Sequence, residues 1–184
     1  MRIREGKWHQ FVKASLKEIG EKNGFDVSES EKEMYFPVKF ALFNGDSAEK
    51  HILTYKPDIV WKKGINYHVI FEIEYLDPKS RILDKRKYVL GTFLLGLIAL
   101  SEKSCKNLVL ITNRETLVED SGTCYKILNR KKILSKDFLN NIYVHWYCFD
   151  SSYDKRYRDP TYLKKELLTC LSEDFRLELK GFSH

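Results

Sequence analysis

The sequence predicts an α/β (α+β) fold, a mixed central sheet flanked by helices. Three observations predict it: an amphipathic segment at the start, a β-rich stretch from Phe25 to Tyr75, and an apolar helix followed by a short, continuously apolar strand. In the first segment Trp8, Phe11, Val12, Leu16 and Ile19 recur at helical spacing between charged residues, and Asn23-Gly24 is a stop signal. A helix over about 3–22 follows.

The next stretch changes period. Tyr35 to Phe43, Ile52 to Trp61 and Tyr67 to Tyr75 are β-rich and are separated by Asn44-Gly45-Asp46 and Lys62-Lys63-Gly64, which reads as an antiparallel meander. Asp77-Pro78-Lys79-Ser80 ends the third strand, and Ser80 can cap a long helix over about 81–102. That helix is amphipathic at its start and apolar all round at its end. Asn107 to Thr112 then has the continuous apolar character of a buried strand, Asn141 to Phe149 reads as one more strand, and Thr161 to Phe175 as a last helix with Leu163, Leu167, Leu168 and Leu171 on one side.

At 184 residues the chain is long enough for one domain with a real core and too short for two enzymatic domains, so a single domain over 1–184 is expected, its core at about 3–112 and an elaboration at about 113–184. A composition 43% hydrophobic and 32% charged, without a one-sided charged tract, excludes a disordered chain. Cysteines 105, 124, 148 and 170 show no CxxC pairing, so reduced thiols in a cytoplasmic protein are expected. The start of the chain lacks a signal-peptide pattern, and the longest apolar run, Tyr88 to Leu100, is too short to span a bilayer, so no membrane partner is expected. A net charge of +6 suits a polyanionic partner, with basic clusters at Lys62-Lys63, Lys79 to Lys87, Arg130 to Lys132 and Lys155 to Arg158. A solvated surface is the plain alternative for each cluster.

The chemistry centres on carboxylates. In Tyr67 to Tyr75, Glu72 and Glu74 are two residues apart, so on a strand they share a face with His68 and Ile70, while Val69, Phe71, Ile73 and Tyr75 take the other. A hairpin centred on residue 65 pairs Ile59 with Phe71 and Trp61 with Val69, and sets Asp58 opposite Glu72. Three carboxylates meeting there would repel one another unless protons or a cation intervene, and a hard dication such as Mg2+ takes oxygen ligands with water and substrate phosphates completing its shell. The plain alternative is an exposed strand face on which acids recur.

Pro57-Asp58 on one strand, a short hairpin, Glu72-Ile73-Glu74 on the next, then a helix and a buried strand resemble the PD-(D/E)xK nuclease superfamily over about residues 3–112. The resemblance implies a restriction-endonuclease-like core of α-β-β-β-α-β order and a Mg2+-dependent endonuclease, Mn2+ substituting, with Asp58, Glu72 and Glu74 as catalytic and metal-binding residues. It implies nucleic acid as partner, DNA ahead of RNA, with Lys62, Lys63, Lys79, Lys85, Arg86 and Lys87 as contacts, and a homodimer where both strands are cut. Many members add an acidic residue on the first helix, for which Glu18 is the first candidate, with Glu5 and His9 behind it. The family pattern ends in Lys where this chain has Glu74, as in a subset of type II restriction endonucleases. Two readings stay open there: Glu74 as a further ligand or general base, or a site that binds without cutting. A structural or assembly role, with Phe93 to Leu100 as the interface, is the third alternative.

Overall fold

The computed structural model describes residues 7–29, 34–40, 49–75, 93, 96–97, 99–100, 103–114, 137 and 140–177. Helix α1 spans Trp8–Lys22, and strands follow at Asp26–Ser28 (β1), Met34–Phe40 (β2), Glu49–Tyr55 (β3), Ile59–Lys63 (β4), Asn66–Glu74 (β5), Asn107–Thr112 (β6) and Tyr143–Cys148 (β7). Helix α2 covers Pro160–Phe175. Its start is well specified: Pro160 occupies the first turn, and the Asp159 carboxylate accepts from the N–H groups of Thr161 and Tyr162 at 2.8 and 3.0 Å.

Five strands form one mixed sheet in the order β1-β4-β5-β6-β7. β4 is antiparallel to both β1 and β5, whereas β5, β6 and β7 are parallel neighbours. The α+β class with a mixed sheet is therefore as the sequence predicts. The meander is not. Among the described residues β2 and β3 pair with each other, as a separate two-stranded sheet, and the single strand expected over Ile52 to Trp61 is two strands belonging to two sheets. The break falls at Lys56-Pro57-Asp58, where proline has no N–H to give a ladder. The strand beside β4 is instead the three-residue β1, too short to show any period in sequence.

The hairpin register is the expected one along its body, with Ile59 opposite Phe71 and Trp61 opposite Val69. Toward the tip the register shifts, so that Lys62 faces Tyr67 and Lys63 faces Asn66. His68 is the extra residue of a β-bulge. The turn is then Gly64-Ile65, and Gly64 takes φ of +61°, at the position a type II′ turn reserves for glycine.

One face of the sheet packs against both helices. Ile59, Trp61, Val69, Phe71, Ile73, Val109, Ile111 and Tyr147 join Trp8, Val12, Leu16 and Ile19 of α1 and the four leucines of α2 in one core. Trp61 is its keystone: fully buried, stacked on Phe25 with ring centroids 4.9 Å apart, and donating its indole N–H to the Leu16 carbonyl at 3.2 Å. Gly20 lets α1 approach that ring, since a Cβ there would stand 2.5 Å from the indole nitrogen. On the other face Ile70, Leu108 and Leu110 are also fully buried, and a Cβ on the helical residue Gly96 would meet the Leu108 side chain at 3.0 Å. The helical residues around Gly96 thus cover the face that carries Glu72.

The bulge redirects His68. Its ring stacks on Phe25, 5.2 Å away, on the α1 face, and not beside the glutamates as strict alternation predicts. Burial, then the Lys63 ammonium, hold its pKa below the usual imidazole value of 6.5. The unfolded chain consequently binds the proton more readily than the folded one. This contribution to stability is complete above about pH 6.5 and is lost as pH falls through the depressed folded value. In His68→Phe, which keeps the stacking surface, the urea midpoint is expected to fall less between neutral pH and mildly acidic pH than in the wild type; an equal fall in both proteins would refute the assignment.

Candidate functional site

Glu72 and Glu74 stand near the C-terminal end of β5, the central strand of the sheet, and both are buried, at 4% and 9% exposure. The plain alternative of an exposed acidic strand face is thereby removed. Their register partners on β6 are Leu110 and Thr112, so Glu74 and the fully buried Thr112 lie side by side on one face. The Thr112 hydroxyl accepts from the Trp146 indole N–H at 3.2 Å and donates to the Arg114 carbonyl at 3.0 Å. Sequence reasoning treated Thr112 only as the end of an apolar strand. The available signal was a hydroxyl residue closing an otherwise apolar run.

Asp58 lies one residue before β4, so the Ile59–Phe71 pairing carries it to the level of Glu72, as predicted. Its carboxylate is engaged in two directions. Oδ2 accepts from the Ile73 N–H at 2.9 Å, and Oδ1 lies 3.1 Å from Nε2 of His9 on the first turn of α1. The sequence accounts for this. Continuing the register would set Ile73 against Pro57, which has no N–H to return, and the chain bends at Asp58. The aspartate carboxylate takes over as acceptor for the backbone N–H at the strand end.

The carboxylates are therefore not gathered as the sequence reading expected. Among the described residues no three His, Cys, Asp or Glu side chains are grouped so as to hold a metal ion. The physical reason is that Asp58, one residue before β4, turns toward the Ile73 N–H and His9, whereas Glu72 and Glu74 lie on the face of β5 opposite α1. A hard dication takes one or two protein carboxylates beside water and phosphate oxygens.

Of the helix α1 candidates, His9 reaches the site and Glu18 does not. Glu18 pairs with Lys22 at 3.2 Å and with Lys164 of α2, and the ammonium groups hold its pKa below the usual carboxylate value. Nine residues of helix separate it from His9, about 13 Å along the axis. Glu18 ties α1 to α2. Lys62 and Lys63 sit at the hairpin tip, the opposite end of β5 from Glu74. Glu5, Lys79, Lys85, Arg86 and Lys87 lie outside the described residues.

A second titratable group stands behind β7. His145 Nδ1 is 2.9 Å from Asp174 Oδ2, and the Tyr147 hydroxyl donates to the same carboxylate. Burial first and the Asp174 carboxylate next push the Tyr147 pKa far upward. Here the acid anchors the end of α2 on β7. Cys105, Cys148 and Cys170 are thiols outside any disulfide, the Cys170 pKa raised to about 11 chiefly by burial, and Cys124 is outside the described residues. No helix among the described residues is long and apolar enough to cross a membrane.

Compared with protein-family models, with curated proteins and with solved structures, the chain matches none, and its chemistry is to be read from these residues.

Proposed function

We propose that the chain is a metal-dependent nuclease of the PD-(D/E)xK type, hydrolysing phosphodiester bonds in DNA ahead of RNA. The observation that carries this reading is the pair of buried glutamates on one face of the central strand, with Asp58 fixed at the level of the first. The order α1, β1, β4, β5, helical residues around Gly96 and β6 supports a restriction-endonuclease-like core, with the β2–β3 sheet as an insertion after its first strand.

In this mechanism Asp58 and Glu72 would hold the dication, which would neutralise charge on the scissile phosphate and acidify a water. Glu74, one pleat farther along, would serve as the proton acceptor. His9 fixes the rotamer of Asp58 from the helix side. Ile73 fixes it from the strand side.

A second reading, nucleic-acid binding without cutting, is favoured by one specific observation. Both Asp58 oxygens already have partners, and Glu74 stands where the family pattern has lysine. One experiment separates the two. Chelator-treated protein is incubated with linear duplex, single-stranded, branched and RNA substrates, with and without added Mg2+ or Mn2+. Cleavage that appears with metal and drops at least about 100-fold in Glu72→Ala supports the nuclease. Tight binding without product in any metal overturns it in favour of the binding protein.

A further inference from the structure

The end of the sheet remote from the carboxylates carries a second cluster of polyanion-compatible chemistry. At the β4–β5 tip, the Lys62 ammonium lies over the Tyr67 ring at 4.7 Å, and that of Lys103 approaches the same ring at 5.5 Å. Lys63 lies over Phe25 at 4.9 Å. Lys106 is exposed at the entry to β6, and its carbonyl accepts from the N–H of Tyr143 at 2.7 Å, which places Tyr143 alongside it at the start of β7. Four ammonium groups thus rim one sheet end, and Asp26 stands opposite Lys62 in register as an acid facing them among the described residues.

Two side chains there are unusually exposed for their type: Ile65, at 92%, on the turn, and Tyr143, at 62%. Exposed apolar and aromatic groups set among lysines match what holds an unpaired nucleic-acid strand, in which backbone charge is met by ammonium groups and free base faces stack on side chains. A duplex offers no base faces to such groups. We infer that this rim is a binding surface for single-stranded nucleic acid, with Lys62, Lys63, Lys103 and Lys106 on the phosphates and Tyr143 and Ile65 against the bases. The seven residues from Tyr67 to Glu74 place it about 23 Å from the carboxylates, so it engages a strand flanking the site and not the scissile bond.

The inference rests on the nucleic-acid partner proposed above but not on cleavage, and its test is run on the full chain in chelator, where no metal-dependent cutting contributes. Anisotropy of a short labelled oligothymidine and of a hairpin duplex is measured from low to physiological salt, with anionic phosphatidylserine vesicles as a separate arm. The wild type is expected to prefer the single strand. Lys62→Gln with Lys103→Gln is expected to weaken binding and to lower the salt slope by about 1.4. Tyr143→Ala is expected to weaken single-strand binding about 5- to 100-fold with the salt slope unchanged. Unchanged affinity in both variants, equal binding of duplex and single strand, or binding to vesicles and not to oligonucleotides overturns the inference. Oligonucleotide binding that survives in a protein unable to cut under any metal removes the nuclease reading alone.

Discussion

Trp61→Ala is expected to cost about 3–5 kcal/mol of unfolding free energy, read as a large fall in the urea midpoint. Few substitutions could cost more, because three elements converge on this indole. Its ring stacks on Phe25 and packs at a tilt against Phe71, 4.7 Å between centroids, and its N–H ties β4 to the Leu16 carbonyl of α1. Gly20 leaves no room between helix and ring, so removing the indole opens a void directly against the backbone of α1. Domains of this size are stable by only about 5–15 kcal/mol, so the loss approaches global unfolding. Trp61→Phe separates the contributions, keeping most of the volume and removing the indole donor; its expected cost is roughly 1 to 2 kcal/mol. An alanine variant that unfolds at the wild-type midpoint would show that α1 is not held through this residue.

The second large effect is on chemistry. Asp58→Asn is expected to reduce metal-dependent cleavage at least about 100-fold while leaving the unfolding midpoint almost unchanged. The asparagine carbonyl can still accept from the Ile73 N–H, and its amide can face His9 Nε2, so the strand end stays satisfied while the charge is gone. Asp58→Ala removes charge and acceptor together, so it is expected to lose cleavage to the same extent and, in addition, about 1 kcal/mol of stability. Single-turnover rates in Mn2+ alongside urea titrations of both variants read the two contributions apart. Wild-type cleavage by the asparagine variant would remove Asp58 from the site, and equal stability of the two variants would remove its part in closing β5.

Much of this arrangement is legible from side-chain period alone. The α1 positions from Trp8 to Ile19, the four leucines of α2 and the Asn107 to Thr112 strand all follow from apolar spacing, because each buries a face that spacing defines. The hairpin body is legible for the same reason: the register that pairs Ile59 with Phe71 and Trp61 with Val69 puts the four apolar side chains together on one side. What spacing does not encode is which strand a strand will choose. β2 and β3 are as β-rich as their neighbours, and their separation depends on the interruption at Pro57 and on the alternative partner β1. Nor does period reveal a bulge, which shifts one residue out of the alternation and carried His68 to the opposite face. At the site, the shared face of Glu72 and Glu74 was readable, but the direction of Asp58 was not. That is decided by a backbone N–H left over where two strands part, visible only once both strand ends are known.

The bulge at His68 also divides the hairpin into two parts with different tolerances. On the sheet side of it, the Trp61–Val69 pairing is clamped by the core and fixes the level of Asp58 against Glu72. On the tip side, a lengthened or altered turn displaces only Lys62 to Tyr67, because the mismatch in residue count is already absorbed at the bulge. The tip can therefore change length and charge without transmitting a one-residue slip to the carboxylates. Under the proposed function, the grip on a nucleic-acid strand could then be altered at the tip with the carboxylates kept in place.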